Sequence, residues 1–167
     1  PEEPTSDNDN SCLWYAAYDS ENLYVFVDVT DETVVPIEEI DVTEENSPWN
    51  NDGIEIFIDI KDRRFIDKRI AAEQHQLRFN VLQNVVYMYN APYSVSEALA
   101  YNPKWSFIKG SSGYSIEIAL PWKGIAKGAI ADDEIDSYVA SEIVAGKKIA
   151  FELSILDAEV KNVRQSI

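Results

Sequence analysis

Residues 47–60 read SPWNNDGIEIFIDI, and this stretch indicates the fold class. Four isoleucines occupy alternate positions in it, and Glu55 and Asp59 lie between them. Successive side chains of a β-strand point to opposite faces of a sheet, so the stretch predicts a strand with one aliphatic face and one polar face. Trp49 precedes this strand, among turn-forming residues. A tryptophan at that position either covers the core or is displayed for contact with a ligand.

The same period of two recurs along the chain and predicts at least six strands. The other segments that show it are 21–29 (ENLYVFVDV), 75–82 (HQLRFNVL), 84–90 (NVVYMYN), 113–120 (GYSIEIAL) and 148–156 (KIAFELSIL). No long amphipathic helix separates them, which favours an all-β antiparallel β-sandwich, a two-sheet architecture of the jelly-roll or immunoglobulin-like type. Long acidic loops join the strands. One short helix is predicted within residues 132–146, and a turn at 121–125.

The length of 167 residues is enough for one domain with its own core. Residues 1–10 are acidic and lack the apolar run of a signal peptide, so we interpret them as an acidic linker or an internal start. Residues 11–167 are then expected to be a single β-sandwich domain, either whole or without terminal segments. No stretch of about 18 apolar residues occurs, which argues against membrane insertion.

The charge balance narrows the classes of partner. The chain carries 30 acidic and 14 basic residues, a formal net charge of −16. Such a surface repels phosphate backbones, so nucleic acid is not an expected partner, whereas hard cations such as calcium are attracted. An acidic surface also serves solubility alone. Cys12 is the single cysteine and His75 the single histidine, which argues against a disulfide and a multi-histidine metal centre.

Polar residues on three predicted strands form a candidate binding face. They lie opposite the aliphatic row of each strand: Glu55, Asp59, Gln76, Arg78, Asn80, Glu152 and Ser154. If the three strands share one sheet, carboxylate, amide and guanidinium groups stand side by side, which suits paired sugar hydroxyls. A sugar ring also packs its C–H groups on an indole such as that of Trp49. The alternative is an ordinary solvated sheet face with Arg78 in a cross-strand ion pair.

Five motifs together resemble the family 9 carbohydrate-binding modules, which belong to the DOMON-like group of β-sandwiches. The motifs are YDSENLYVFVDVTDE (18–32), SPWNNDGIEIFIDI (47–60), HQLRFNV (75–81), GYSIEIALPWKGI (113–125) and IAFELSILDA (149–158). The resemblance runs from about residue 9 to residue 158. It implies a non-catalytic module of a secreted or cell-surface protein, located outside the cell or at its surface, that binds glucan- or xylan-type polysaccharides or oligosaccharides.

The resemblance also assigns roles to particular residues. By its motif, Trp49 stacks on the terminal sugar, and Glu55 and Arg78 hydrogen-bond the sugar hydroxyls. Gln76 joins them because it lies on the same face as Arg78. The family's structural calcium is held in acidic loops, and the candidate ligands in this sequence are Asp28, Asp31 and Asp59. The expected partners are the sugar and other domains of a larger chain, such as the catalytic domain of a glycoside hydrolase.

The sequence departs from the family at both ends. It shows neither the opening strand with a DG segment nor the closing tryptophan that completes a sandwich around the sugar. Tyr93, Tyr101 and Trp105 are candidates for that second aromatic ring. The alternative function is therefore a calcium-stabilised structural or adhesive surface module that binds no free sugar.

Two further functions are less well supported by the sequence. Haem-binding relatives use methionine and histidine ligands, and the chain has Met88 and His75, but we expect Met88 in the core and His75 in a solvated loop. Glycoside hydrolysis needs a pair of carboxylates, for which Glu55 and Glu152 are available. On a shallow, water-exposed face their acidity is expected to be ordinary, so we predict that the chain is not an enzyme.

Overall fold

A computed structural model of the chain describes residues 6–35, 51–63, 74–81, 86–89, 103–160 and 163–165. These ranges contain nine strands and two helices. The strands are β1 (Asn10–Tyr18), β2 (Asn22–Asp31), β3 (Gly53–Asp59), β4 (His75–Asn80), β5 (Val86–Tyr89), β6 (Lys104–Lys109), β7 (Gly113–Pro121), β8 (Ala150–Val160) and β9 (Val163–Gln165). The helices are α1 (Trp122–Ala126) and α2 (Ile135–Glu142).

The strands form two antiparallel sheets. The first sheet has four strands in the order β1-β2-β7-β6, and the second has five in the order β5-β4-β3-β8-β9. Every pairing within them is antiparallel. The predicted all-β antiparallel sandwich is confirmed. Strand β2 lies in the interior of its sheet, and β4 pairs with β5.

The aliphatic rows of the two sheets form one core. Each row follows the period of two seen in the sequence, and its members are buried: Leu23, Val25, Val27 and Val29 on β2, Ile54, Ile56 and Ile58 on β3, and Tyr114, Ile116, Ile118 and Leu120 on β7. Burying one such aliphatic side chain contributes about 1.5–3 kcal/mol to the free energy of unfolding. Phe79 of the second sheet meets Trp105 of the first edge to face, with ring centroids 5.7 Å apart.

The two helices cover one end of the sandwich. The predicted helix within 132–146 is present as α2, which buries Ile135 and Val139. The predicted turn at 121–125 is instead the short helix α1, which follows Pro121. Its Trp122 donates its indole N–H to the carbonyl of Asp19 at 2.9 Å. Neither helix of the described residues is long and apolar enough to span a bilayer.

His75 lies in a different environment from the one predicted. It is the first residue of β4 and is only 2% exposed, so the expectation of a solvated loop histidine is wrong. Its Nε2 lies 2.8 Å from the carbonyl oxygen of Ile125 in α1. Burial lowers the pKa of the imidazole, which favours its neutral form.

Candidate functional site

Strands β4, β3 and β8 are neighbours in the second sheet, and their register brings the predicted polar residues to one face. Glu55 lies directly opposite Arg78 on one side and Ser154 on the other. Residues that face each other across antiparallel strands project to the same side of a sheet. We call the surface formed by Glu55, Gln76, Arg78 and Ser154 the polar face. It is the side of the second sheet turned away from the core.

Glu55 is the centre of the polar face. Its Oε1 accepts a hydrogen bond from Nη2 of Arg78 and another, of 2.7 Å, from Nε2 of Gln76. Glu55 is 4% exposed and Arg78 is 2% exposed. The expectation that Glu55 and Glu152 both lie on a shallow, water-exposed face is therefore wrong for Glu55. In a buried ion pair each charge depends on its partner for the solvation that water no longer supplies, so both side chains are fixed in orientation.

The two carboxylates considered for hydrolysis are in unlike environments. Glu152 is exposed and lies opposite Phe57, one side-chain step along β3 from Glu55. Glu55 is buried and engaged by Arg78 and Gln76. Acid–base catalysis of glycoside cleavage needs one carboxyl kept protonated and one kept ionised on either side of the bond. The arrangement described suits recognition of a ligand better than that chemistry.

One of the four aromatic residues predicted to contact a sugar ring lies within the described part of the chain. Trp49, Tyr93 and Tyr101 lie outside the described residues. Trp105 is half-buried on the inner face of β6, where it packs against Phe79. It therefore points into the core and not toward the polar face.

The three predicted metal ligands do not come together. Asp28 and Asp31 are three residues apart on β2, so they project to opposite faces of the first sheet. Asp28 is on the outer face, where its Oδ1 accepts a hydrogen bond of 2.7 Å from Ser115. Asp31 continues the buried row of β2 and is 2% exposed. Asp59 lies in the second sheet.

Asp59 is occupied by other groups. Its carboxylate accepts hydrogen bonds from the backbone N–H groups of Lys61 and Arg63, at 2.9 and 3.1 Å, and from Nε2 of Gln74 at 3.0 Å. The Arg63 guanidinium forms an ion pair with it at 3.2 Å. Burial raises the pKa of this carboxyl, but the hydrogen bonds and the guanidinium outweigh burial and lower it overall.

Asp31 instead meets two aspartates from the second sheet. One carboxylate oxygen from each of Asp31, Asp52 and Asp157 lies within 4.8 Å of the other two, and all three residues are buried. We call these three residues the aspartate cluster. Asp52 immediately precedes β3 and Asp157 lies on β8, so the cluster joins the two sheets.

The aspartate cluster is electrostatically unfavourable when all its members are ionised. Burial, together with the charges of Asp31 and Asp157, raises the pKa of Asp52 to about 8, although backbone hydrogen bonds from Val35 and Ala158 oppose the rise. Burial also raises the pKa of Asp31. Crowded, buried carboxylates require protons or a cation to offset their charge. Their oxygen donors are the kind that calcium prefers.

A signal for the aspartate cluster exists in the sequence. Asp31 is in phase with the buried residues Val27 and Val29, and Asp157 is in phase with Leu153 and Ile155. A carboxylate in the buried phase of a strand needs a buried partner. By the same argument Asp28 is not expected in a buried site, because it does not share the phase of the buried residues Val27 and Val29.

Two solved structures resemble the fold over nearly the whole chain. Both are of a family 9 carbohydrate-binding module from Caldicellulosiruptor kristjanssonii, one in complex with cellotriose and one in complex with glucose. Each has a TM-score of 0.61 and 16% sequence identity. Alignment with the cellotriose complex covers 96% of this chain and 65% of that chain, and with the glucose complex 98% and 70%. At this identity the likeness shows a shared fold.

Comparison of sequences gives a more specific result. No protein of curated function matches the sequence. The profile of the family described as "Carbohydrate family 9 binding domain-like" matches residues 2–167. Because that match extends over nearly all of a chain with the same two-sheet fold, the chain belongs to the carbohydrate family 9 binding domain-like family.

Proposed function

We propose that this chain is a non-catalytic carbohydrate-binding module of a secreted or cell-surface protein, and that it binds glucan- or xylan-type oligosaccharides. Family membership supports the class of function. The proposal that particular residues bind the sugar rests on one observation. Glu55 is hydrogen-bonded to both Arg78 and Gln76 on one face of two adjoining strands. Cellotriose and glucose, the ligands of the two similar structures, favour a glucan-type sugar.

The polar face has the chemistry that sugar recognition requires. A sugar hydroxyl both donates and accepts, so it matches a carboxylate beside a guanidinium and an amide. Arg78 and Gln76 donate to the same oxygen of Glu55, which fixes these groups before a ligand arrives. Such preorganisation lowers the entropy cost of binding. In this proposal Trp49 supplies the apolar surface on which a sugar ring stacks.

Isothermal titration calorimetry on a Trp49 variant tests the proposal. We expect cellobiose or xylobiose to bind the wild-type chain, and Trp49→Ala to weaken that binding at least about tenfold, because the stacked ring loses its apolar contact. The matched control is Trp14→Ala. Trp14 is 47% exposed and stacks on Phe151 in the core-facing layer, away from the polar face. Equal binding heats for wild type and Trp49→Ala, with both folded by circular dichroism, would reject the proposal.

A second candidate function rests on the aspartate cluster. We propose that Asp31, Asp52 and Asp157 hold a structural calcium ion, which neutralises three buried carboxylates and ties the two sheets together. A calcium-stabilised structural or adhesive module needs this site and not the polar face. If neither sugar gives heat with the wild-type chain while calcium raises its melting temperature, the structural function is favoured over sugar binding.

A further inference from the structure

The outer face of the first sheet carries exposed aromatic side chains that the core and the polar face do not use. Tyr15 is 63% exposed and Tyr24 is 38% exposed. Together with Phe26 they line a depression of about 460 Å³ that crosses all four strands. We call this depression the aromatic groove. Its volume lies within the range of small-molecule binding sites, about 300–1,000 Å³.

Strand register explains why the groove exists. One row across the sheet reads Ala17, Tyr24, Ala119 and Lys104, each opposite the next. Tyr24 therefore has an alanine on each side, and neither methyl group reaches over its ring. An aromatic residue between larger neighbours would have its ring covered by them. With these small neighbours, Tyr24 stays 38% exposed and its ring is accessible to a ligand.

The Tyr24 ring is held in place by its hydroxyl group. That hydroxyl donates to Oδ2 of Asp19 at 2.8 Å and accepts from Nδ2 of Asn22 at 3.2 Å. Asp19 is itself fixed, because its Oδ1 accepts from the backbone N–H groups of Glu21 and Asn22 at 2.7 and 2.8 Å. A ring that is anchored at its edge and open on its faces loses little freedom when a ligand packs on it.

The polar groups of the groove include charges of both signs. The second row across the sheet reads Tyr15, Phe26, Glu117 and Ser106. One anion, Glu117, and one cation, Lys104, therefore stand beside the aromatic rings. The carboxylate of Asp19, which accepts the Tyr24 hydroxyl, adds a second anion at the edge of the groove, so the surface is mixed in sign and carries no cluster of positive charge. It favours an uncharged ligand with both apolar patches and hydroxyl groups over a charged peptide.

The groove continues toward the β1–β2 turn. A second depression of about 600 Å³ shares Tyr24, Lys104 and Ala119 with the first. It adds Glu21 and Lys123, and Lys123 is paired with Asp136 at 2.7 Å. The two depressions form an elongated trough with the anchored tyrosine at their junction. An elongated ligand fits this shape better than a single ring does.

We propose that the aromatic groove is a second carbohydrate site, which takes a neutral oligosaccharide of several rings and is separate from the polar face. It extends the proposed function to the other sheet of the sandwich. Tyr24 stacks on a sugar ring at the centre of the trough, and Glu117, Ser106 and Lys104 hydrogen-bond its hydroxyls. This site does not require the contact with the terminal sugar that is proposed for Trp49.

Amide chemical-shift mapping of the full chain with cellohexaose and with xylohexaose tests this second site. We expect saturable shifts at residues 15–17, 24–26 and 117–119. Tyr24→Ala removes the stacking ring, and Ala119→Gln extends a side chain over it without removing a contact. Each should weaken binding at the groove about tenfold. Ile108→Ala is the matched control, since Ile108 is 72% exposed on the same face and lies outside the groove; its effect should stay within about twofold.

The variants separate this site from the one at Trp49. If Trp49→Ala abolishes shifts at the polar face while the groove still responds, the second site is supported. If the groove does not respond to either hexasaccharide while the polar face does, the second site is overturned and the proposed function stands. The second site is also overturned if Ala119→Gln binds as wild type does. A self-associating wild-type chain that Tyr24→Ala makes monomeric would show that the groove is an interface between copies, again against the proposal.

Discussion

Asp52 sets how stability depends on pH near neutrality. Its pKa is raised to about 8 in the folded chain, chiefly by burial, so folding favours its protonated form. The stability it contributes is complete below the ordinary pKa of an aspartate and is lost as the pH rises toward 8. His75 acts in the opposite direction, but its pKa is lowered from 6.5, so above that pH it adds no more than about 0.4 kcal/mol to the free energy of unfolding. The window from pH 6.5 to 8 therefore isolates the aspartate cluster.

We expect the free energy of unfolding to fall by about 1–2 kcal/mol between pH 6.5 and pH 8 when a chelator is present. Urea titrations at several pH values in EDTA measure it. Asp52→Asn keeps the shape of the side chain and removes the titration, so its stability should vary less over the same interval. A wild-type stability that rises with pH in this window would contradict the proposed state of Asp52.

The sequence predicts single residues well where alternation alone decides their face. It correctly distributes Glu55, Arg78 and Gln76 to the side of each strand away from the core. The sequence does not reveal that the Glu55–Arg78 pair is buried. Alternation distinguishes the two sides of a sheet, but it does not show whether a side is exposed to solvent. The sequence does not identify Asp157 as a partner of Asp31 and Asp52, because the three residues come from segments remote in the chain.

At the scale of elements, the β6–β7 hairpin depends on one glycine. Gly113 has a φ of +132°, a backbone conformation that residues with a Cβ rarely adopt. A Cβ added at Gly113 would lie 1.9 Å from the carbonyl oxygen of Val29. Gly113→Ala should therefore lower the free energy of unfolding by at least about 3 kcal/mol. The atom in the way is backbone, so β2 or β7 would have to move.

The same turn supplies a matched control. The nearest atom to an added Cβ at Gly110 is 3.6 Å away, an ordinary contact distance. Gly110→Ala should change the free energy of unfolding by no more than about 1 kcal/mol. Chemical denaturation of both variants measures the difference. Equal stabilities for the two would contradict the close approach of β2 to Gly113.

Elements with clean alternation were predicted, and those without it were not. Strand β1 has apolar residues on both sides, such as Trp14 and Tyr15, so no period of two marks it. Strand β6 is a six-residue segment with lysine at each end, too short a signal to stand out. The sequence predicts a turn in place of helix α1, because Pro121 and Gly124 are typical of turns. The tertiary contact of Trp122 with Asp19 stabilises the helical turn instead.

At the scale of the whole molecule, the net charge of −16 and the aspartate cluster make stability sensitive to cations. If calcium binds the cluster in the folded state only, a concentration about 100 times its dissociation constant should add about 2.7 kcal/mol. For a chain of this length that corresponds to a rise in melting temperature of about 5–10 °C. Differential scanning calorimetry in calcium and in EDTA measures the rise.

General screening of negative charge also raises stability, so the control matters. Sodium chloride at the same ionic strength screens repulsion across the surface but does not bridge three carboxylates. Asp52→Asn removes one proposed ligand and should lose most of the calcium-specific rise. A rise of the same size with sodium chloride, or an undiminished rise in the variant, would contradict a calcium site at the cluster.

The aspartate cluster also has a kinetic consequence. Its members come from the end of β2, the start of β3 and the far end of β8, so they meet only when distant segments of the chain have docked. Buried carboxylates lose their water only when the two sheets have packed, so we expect the cluster to close after the strands that carry it have paired. Repulsion among the three carboxylates, or its relief by a proton or a cation, should therefore change how fast the native state opens and leave the rate of refolding almost untouched. The cluster therefore controls the lifetime of the folded chain more than the rate at which the chain folds.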